Sequence, residues 1–243
     1  MSTTLNRVLI PVDVSEELSL GGTLIETLPL AETVLLGYWP IPDQTTANQA
    51  RDQFENEARQ RLESLADRFT NQGVEVQSEL VFTNDRRQLI DRATNEYSCQ
   101  SVLIPGTESP PSGTTRGIVL VKPDADLERI VTTLGSLFDE TNVELFLFHA
   151  VESQNEYLYD STEYMLRGMV DHLDTLGIDR ERITWEQSTD SERVEAIFSE
   201  VTDYDFVVLS ETKPALRERV FGSVQSKLAE NTRKPLLTIR NRN

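Results

Sequence analysis

Apolar residues recur along this chain in two alternating rhythms. Short runs of branched apolar residues, "RVLIPVDV" (7–14), "TVLLGYWPI" (33–41) and "SVLIPG" (101–106), read as strands, the first and last of them buried on both faces. Between the runs the spacing turns helical. "SEELSLGGTLIETLPL" (15–30) predicts a helix with a glycine interruption. From 44 to 72, Ala50, Phe54, Ala58, Leu62, Leu65, Ala66 and Phe69 fall on one face, and Gly73 stands where a helix end favours glycine. "VEVQSELVF" (74–82) alternates like a strand, and "NDRRQLIDRATNEY" (84–97) opens with a cap and turns Leu89, Ile90 and Ala93 inward.

After a Pro/Ser/Gly/Thr-rich connector at 107–116 the order begins again. "RGIVLVKPD" matches "NRVLIPVD" and sets Asp124 where Asp13 stood. A helix follows ("DLERIVTTLGSLF"), then a strand at 143–151 and a helix with Met165, Met169, Leu173 and Leu176 inward that runs to Gly177. A strand at 183–188, a helix at 191–202 and a strand at 206–210 complete the parallel with the first half. Strands alternating with helices predict parallel sheets covered on both faces, joined by right-handed crossovers. The expected fold is therefore α/β, with two tandem Rossmann-like domains at 1–112 and 113–243. Only the second continues into "FGSVQSKLAENTRKPLLTIR", a last helix and strand, so the first is expected to lack both.

Composition narrows what such a chain can do. The formal charge of −18 is dispersed along the sequence, which repels nucleic acid and anionic membrane and sets both aside as partners. Lysine occurs only at 122, 213, 227 and 234, and an acidic surface with so few lysines suits concentrated salt and a halophilic source. No run of about 18 apolar residues is present, so direct membrane insertion is not expected. The start has no secretory-signal shape, and Cys99 is alone; both fit a cytoplasmic protein. Cys99 itself reads as a small apolar filler.

Candidate chemistry is sparse. His149 ends a strand and reads as a partly buried structural histidine; His172 reads as solvated. The two give no metal spacing, and Ser161, Thr162, Ser188 and Thr189 have no His/Asp arrangement to make a nucleophile. Tyr157, Tyr159, Tyr164 and Met165 form an aromatic stripe suited to a core or an interface. No catalytic residue is assigned, and an enzyme is not expected.

"VLIPVDVSEE" near the start and "DFVVLSETKPALRERVFGSVQSKLAENTRKPLLTIR" at the end carry a family likeness. With them the chain resembles the universal stress protein family in its tandem two-domain form, as in haloarchaeal members. The resemblance implies a five-stranded parallel fold per domain and a cytoplasmic stress-response or regulatory role exercised by binding. The alternative it leaves open is a soluble regulatory partner of a membrane transporter or antiporter. Nucleotide-binding members carry a loop of Gly, two residues, Gly, nine residues, then Gly with Ser or Thr. Here Gly222-Ser223 matches its end, whereas the earlier glycines fall on Leu209 and Thr212. A degenerate ATP or AMP site in the second domain would thus use Asp124, Gly222, Ser223 and Val224.

The surroundings of that loop point both ways. Glu211 adds a negative charge where a triphosphate would lie, and Lys213, Arg217 and Arg219 bring cations. Gly106 stands at the first loop glycine of repeat one, which has no Gly-Ser. In the resembling binders the aspartate matching Asp13 and Asp124 contacts the adenine end; it reads equally as a cap for the following helix. The strand "KPLLTIR" has no counterpart in repeat one, and an unpaired apolar edge invites another chain. A homodimer through this C-terminal strand is therefore expected, together with a protein partner.

Overall fold

The computed structural model describes residues 7–16, 32–106, 114–150, 156–188, 197, 199–211, 228 and 233–240. The predicted helix at 15–30, the division between halves at 112/113, and most of the two helices predicted for 191–202 and 221–232 lie outside these residues. The first half contains β1 (Arg7–Asp13), β2 (Glu32–Pro40), α1 (Ala47–Thr70), β3 (Glu75–Thr83), α2 (Arg86–Glu96) and β4 (Ser101–Ile104). The second contains β5 (Arg116–Leu120), α3 (Leu127–Phe138), β6 (Glu144–Ala150), α4 (Glu156–Thr175), β7 (Ile183–Ser188), β8 (Phe206–Ser210) and β9 (Leu236–Ile239).

Local chemistry accounts for the helix boundaries. Thr46 caps α1 in a reciprocal capping box with Gln49, and Gly73 (φ +83°) turns the chain toward β3. Asp85 caps α2 by accepting from Gln88 N–H. Along α1 the predicted stripe is the buried one: Ala50, Ala58, Leu62, Leu65 and Phe69 face inward, with Phe54 and Ala66 packed beside them.

The strands form one nine-stranded sheet in the order β3-β2-β1-β4-β9-β8-β5-β6-β7. Every pairing is parallel except β4 with β9. The two repeats thus lie side by side in opposite directions, and β9 is the seam. It runs parallel to β8 (Val208 beside Leu237) and antiparallel to β4 (Leu103 beside Leu237).

This corrects the expectation for the last strand. Both edges of β9 are occupied within the chain, so it offers no free edge to a second copy. The strand that repeat one lacks is supplied by repeat two. One core cluster accordingly spans both halves, bringing Val8, Ile10 and Phe69 together with Leu134, Phe206 and Ile239 under α1, α3 and α4. On the other face, α2 covers Leu9, Val34 and Val102, and Ile197, Val201 and Leu228 cover Phe148 and Leu209.

Candidate functional site

In a parallel sheet of this kind, ligands bind beyond the carboxyl ends of the strands where the strand order reverses. The order gives two such places, between β1 and β4 and between β5 and β8. Because the repeats run in opposite directions, the two lie at opposite ends of the sheet.

At the first place the described residues bind one another. Asp13 Oδ1 accepts from Ser15 N–H at 2.9 Å and from Ser15 Oγ–H at 2.6 Å, so the carboxylate is engaged by its own loop. Val14 is tied on both sides: its N–H donates to Tyr38 O at 3.0 Å, and its carbonyl accepts from Arg61 Nη1 at 2.9 Å. Gly106 has a reason unrelated to phosphate. A Cβ there would lie 2.5 Å from Pro235 N and 2.6 Å from the carbonyl carbon of Lys234. The backbone entering β9 passes too close for any side chain at this position, on the β9 side of β4. Lys234 fixes that segment, its Nζ donating to the carbonyl oxygens of Val201, Thr202 and Tyr204.

The second place differs residue by residue. Asp124 is exposed in the turn after β5 and makes no hydrogen bond among the described residues. It is not the helix cap: Asp126 Oδ1 accepts from Arg129 N–H at 3.1 Å and starts α3. The capping alternative therefore falls away for Asp124, whose carboxylate faces solvent at the β5/β8 reversal. Glu211, just past β8, also departs from expectation. Its Oε1 pairs with Arg240 Nε at 3.0 Å, both side chains 15% exposed, and Arg240 Nη1 donates to Asn95 Oδ1 at 3.1 Å. The charge expected to oppose a triphosphate is neutralised and held on the β9 side. Sequence reasoning did not single out Arg240, although opposite charges directly follow the paired strands β8 and β9.

Gly222, Ser223 and Val224 lie outside the described residues, as do Thr212, Lys213, Arg217 and Arg219. The structure thus places Asp124 and does not bring it together with the other three predicted site residues. His149 is buried, and its Nδ1 lies 2.8 Å from Val121 O. A carbonyl can only accept, so Nδ1 carries the hydrogen and the ring ties β6 to the end of β5. His172 is exposed, as read from the sequence. Among the described residues no group of three or more His, Cys, Asp or Glu side chains could hold a metal ion, and no described helix is long and apolar enough to cross a membrane.

Solved structures share this architecture over nearly the whole chain. A universal stress protein from Archaeoglobus fulgidus superposes with a TM-score of 0.66 at 14% identity, covering 98% of this chain and 99% of that one. The chain has the universal stress protein fold. A universal stress protein from Pseudomonas aeruginosa gives a TM-score of 0.56 at 13% identity over 98% of this chain and 94% of its own. A protein of unknown function from the same species gives 0.54 at 12% identity, over 98% and 93%. No family model matches the sequence, and no curated protein matches it. The universal stress protein fold is thus present here at an identity too low to carry function with it, and its two strand-reversal points differ: Asp13 is bonded to Ser15 at one, and Asp124 is exposed at the other.

Proposed function

We propose that this chain is a member of the universal stress protein family and acts in the cytoplasm as a stress-response or regulatory protein, by binding rather than by catalysis. Its one ligand end is the β5/β8 reversal of the second half, and the ligand class is an adenine nucleotide, ATP or AMP. The observation that supports this reading is the contrast between two matched aspartates. Asp13 is engaged by Ser15 within its own turn, whereas Asp124 is exposed and relieved of capping by Asp126. An exposed carboxylate there can accept from the exocyclic amine of adenine, and a helix start at Gly222-Ser223, as the sequence predicts, would offer N–H groups to phosphate.

Calorimetric titration of the full chain with ATP and with AMP tests this. One site per chain is expected, lost in Asp124→Ala and in Gly222→Val and kept in Asp13→Ala. Two sites per chain, or affinity untouched by both Asp124→Ala and Gly222→Val, would move the ligand elsewhere; no heat with either nucleotide would remove the nucleotide from the reading.

A further inference from the structure

The outer face of α4 carries two features that packing within the chain does not explain. Tyr164 is 72% exposed, the large apolar side chain most open to solvent among the described residues. One turn later Gly168 sits in mid-helix, where glycine costs about 1 kcal/mol relative to alanine. At Gly135 of α3 the glycine has a local cause, since a Cβ would lie 2.8 Å from Leu176. At Gly168 a Cβ would meet nothing within 4 Å. The result is an aromatic knob beside uncovered helix backbone, four residues apart on one helix face.

We propose that this face binds a second copy of the chain, with α4 crossing α4 antiparallel about a two-fold axis. A two-fold interface must be self-complementary, residue i meeting j and j meeting i. Tyr164 of one protomer packs on the bare backbone at Gly168 of the other, and the reverse contact follows by symmetry. The same register sets Asp160 against His172, a carboxylate facing an imidazole that can donate to it.

The other charges near the knob are already used within the chain. Arg167 pairs with Glu163 and lies over the Trp185 ring, and Asp171 pairs with Arg180. Asp160 and His172 are exposed and have no ion pair among the described residues. They are the groups left to complement one another across the axis.

One helix pair buries less than the roughly 1,200–2,000 Å² of a stable interface, so the dimer is a transient one. Each copy also carries a net charge of −18. Salt shortens the range of that repulsion from about 10 Å at 0.1 M to about 3 Å at 1 M, so the dimer gains population as salt rises.

Sedimentation of the full chain over a range of concentrations, at about 0.1 M and about 1 M salt, tests the proposal. A reversible monomer–dimer equilibrium is expected, with more dimer at high salt. Gly168→Leu covers the bare backbone while improving helix propensity, so it should keep or raise the unfolding midpoint yet weaken the dimer by about tenfold or more. Tyr164→Ala should weaken it similarly. Asp160→Lys should weaken it, and adding His172→Glu to the same chain should restore it. A monomer at every concentration and salt overturns the proposal, as does a dimer indifferent to Gly168→Leu and Tyr164→Ala. The nucleotide reading does not enter this test, so either can fail alone.

Discussion

Asp124 and Asp126 show how two residues of one type, two positions apart, divide two roles. Either could begin a helix by sequence alone, and only the backbone decides: Asp126 meets the N–H of Arg129 and is spent, leaving Asp124 exposed. Gly106 and Glu211 likewise have partners that sequence position does not reveal. Each sits where the resemblance predicts loop chemistry, and each is answered by a residue distant in sequence, Lys234-Pro235 and Arg240 respectively. Cys99, by contrast, was legible. It is 5% exposed, and burial, opposed by Arg7 and Arg240, pushes its thiol up to about 11 from an ordinary 9.0. The folded chain therefore holds this proton where the unfolded chain has lost it, and stability should fall as pH rises from about 9 to about 11. Urea unfolding across that window should show a shallower decline in Cys99→Ala than in wild type. An unchanged decline would assign it to other groups, first among them Tyr97, which its hydrogen bond to Glu79 pushes up to about 12.

Among the elements, the described helices and strands lie within a few residues of where the apolar rhythm puts them, because each period reports which positions meet the core. What the rhythm cannot report is the neighbour. All four residues of β9 are buried, and that pattern fits any strand flanked on both sides, by whichever chain. The partner is decided by the missing fifth strand of repeat one and by the fit at Gly106, neither of which has a local signature. The fit is also where β9 should be most vulnerable. A Gly106→Val side chain would have to displace backbone at Lys234 and Pro235. It should lower unfolding free energy by about 1–3 kcal/mol, as overpacking does. A loss within error of zero, measured by denaturant titration, would mean that the 233–235 segment yields freely and that the seam is looser than described.

At the scale of the whole molecule the seam makes one body of two repeats. Besides the ladder of β9, Arg240 N–H donates to Gln100 O at 2.9 Å, and Gln100 exchanges hydrogen bonds with Arg7, so the ends of β9, β4 and β1 are tied together. The surface contributes less to holding it. The pairs Arg59–Glu55, Arg61–Glu57 and Arg167–Glu163 are single helical-turn contacts at the surface, worth about 0–1 kcal/mol each. The charge of −18 opposes compaction until salt screens it. Cohesion therefore rests on the shared sheet and the core cluster that crosses it.

Each half carries one tryptophan that can report on this directly. Trp39 stacks on Phe54 in the first half, at 4.6 Å between ring centroids, and Trp185 lies under Arg167 in the second. The most direct test is denaturant unfolding of two single-tryptophan chains, Trp39→Phe and Trp185→Phe, followed by fluorescence. If β9 fuses the repeats, the two transitions share one midpoint and one slope once each is matched to its own circular-dichroism curve. Two separate transitions, with the four-stranded first half unfolding apart from the second, would contradict the account.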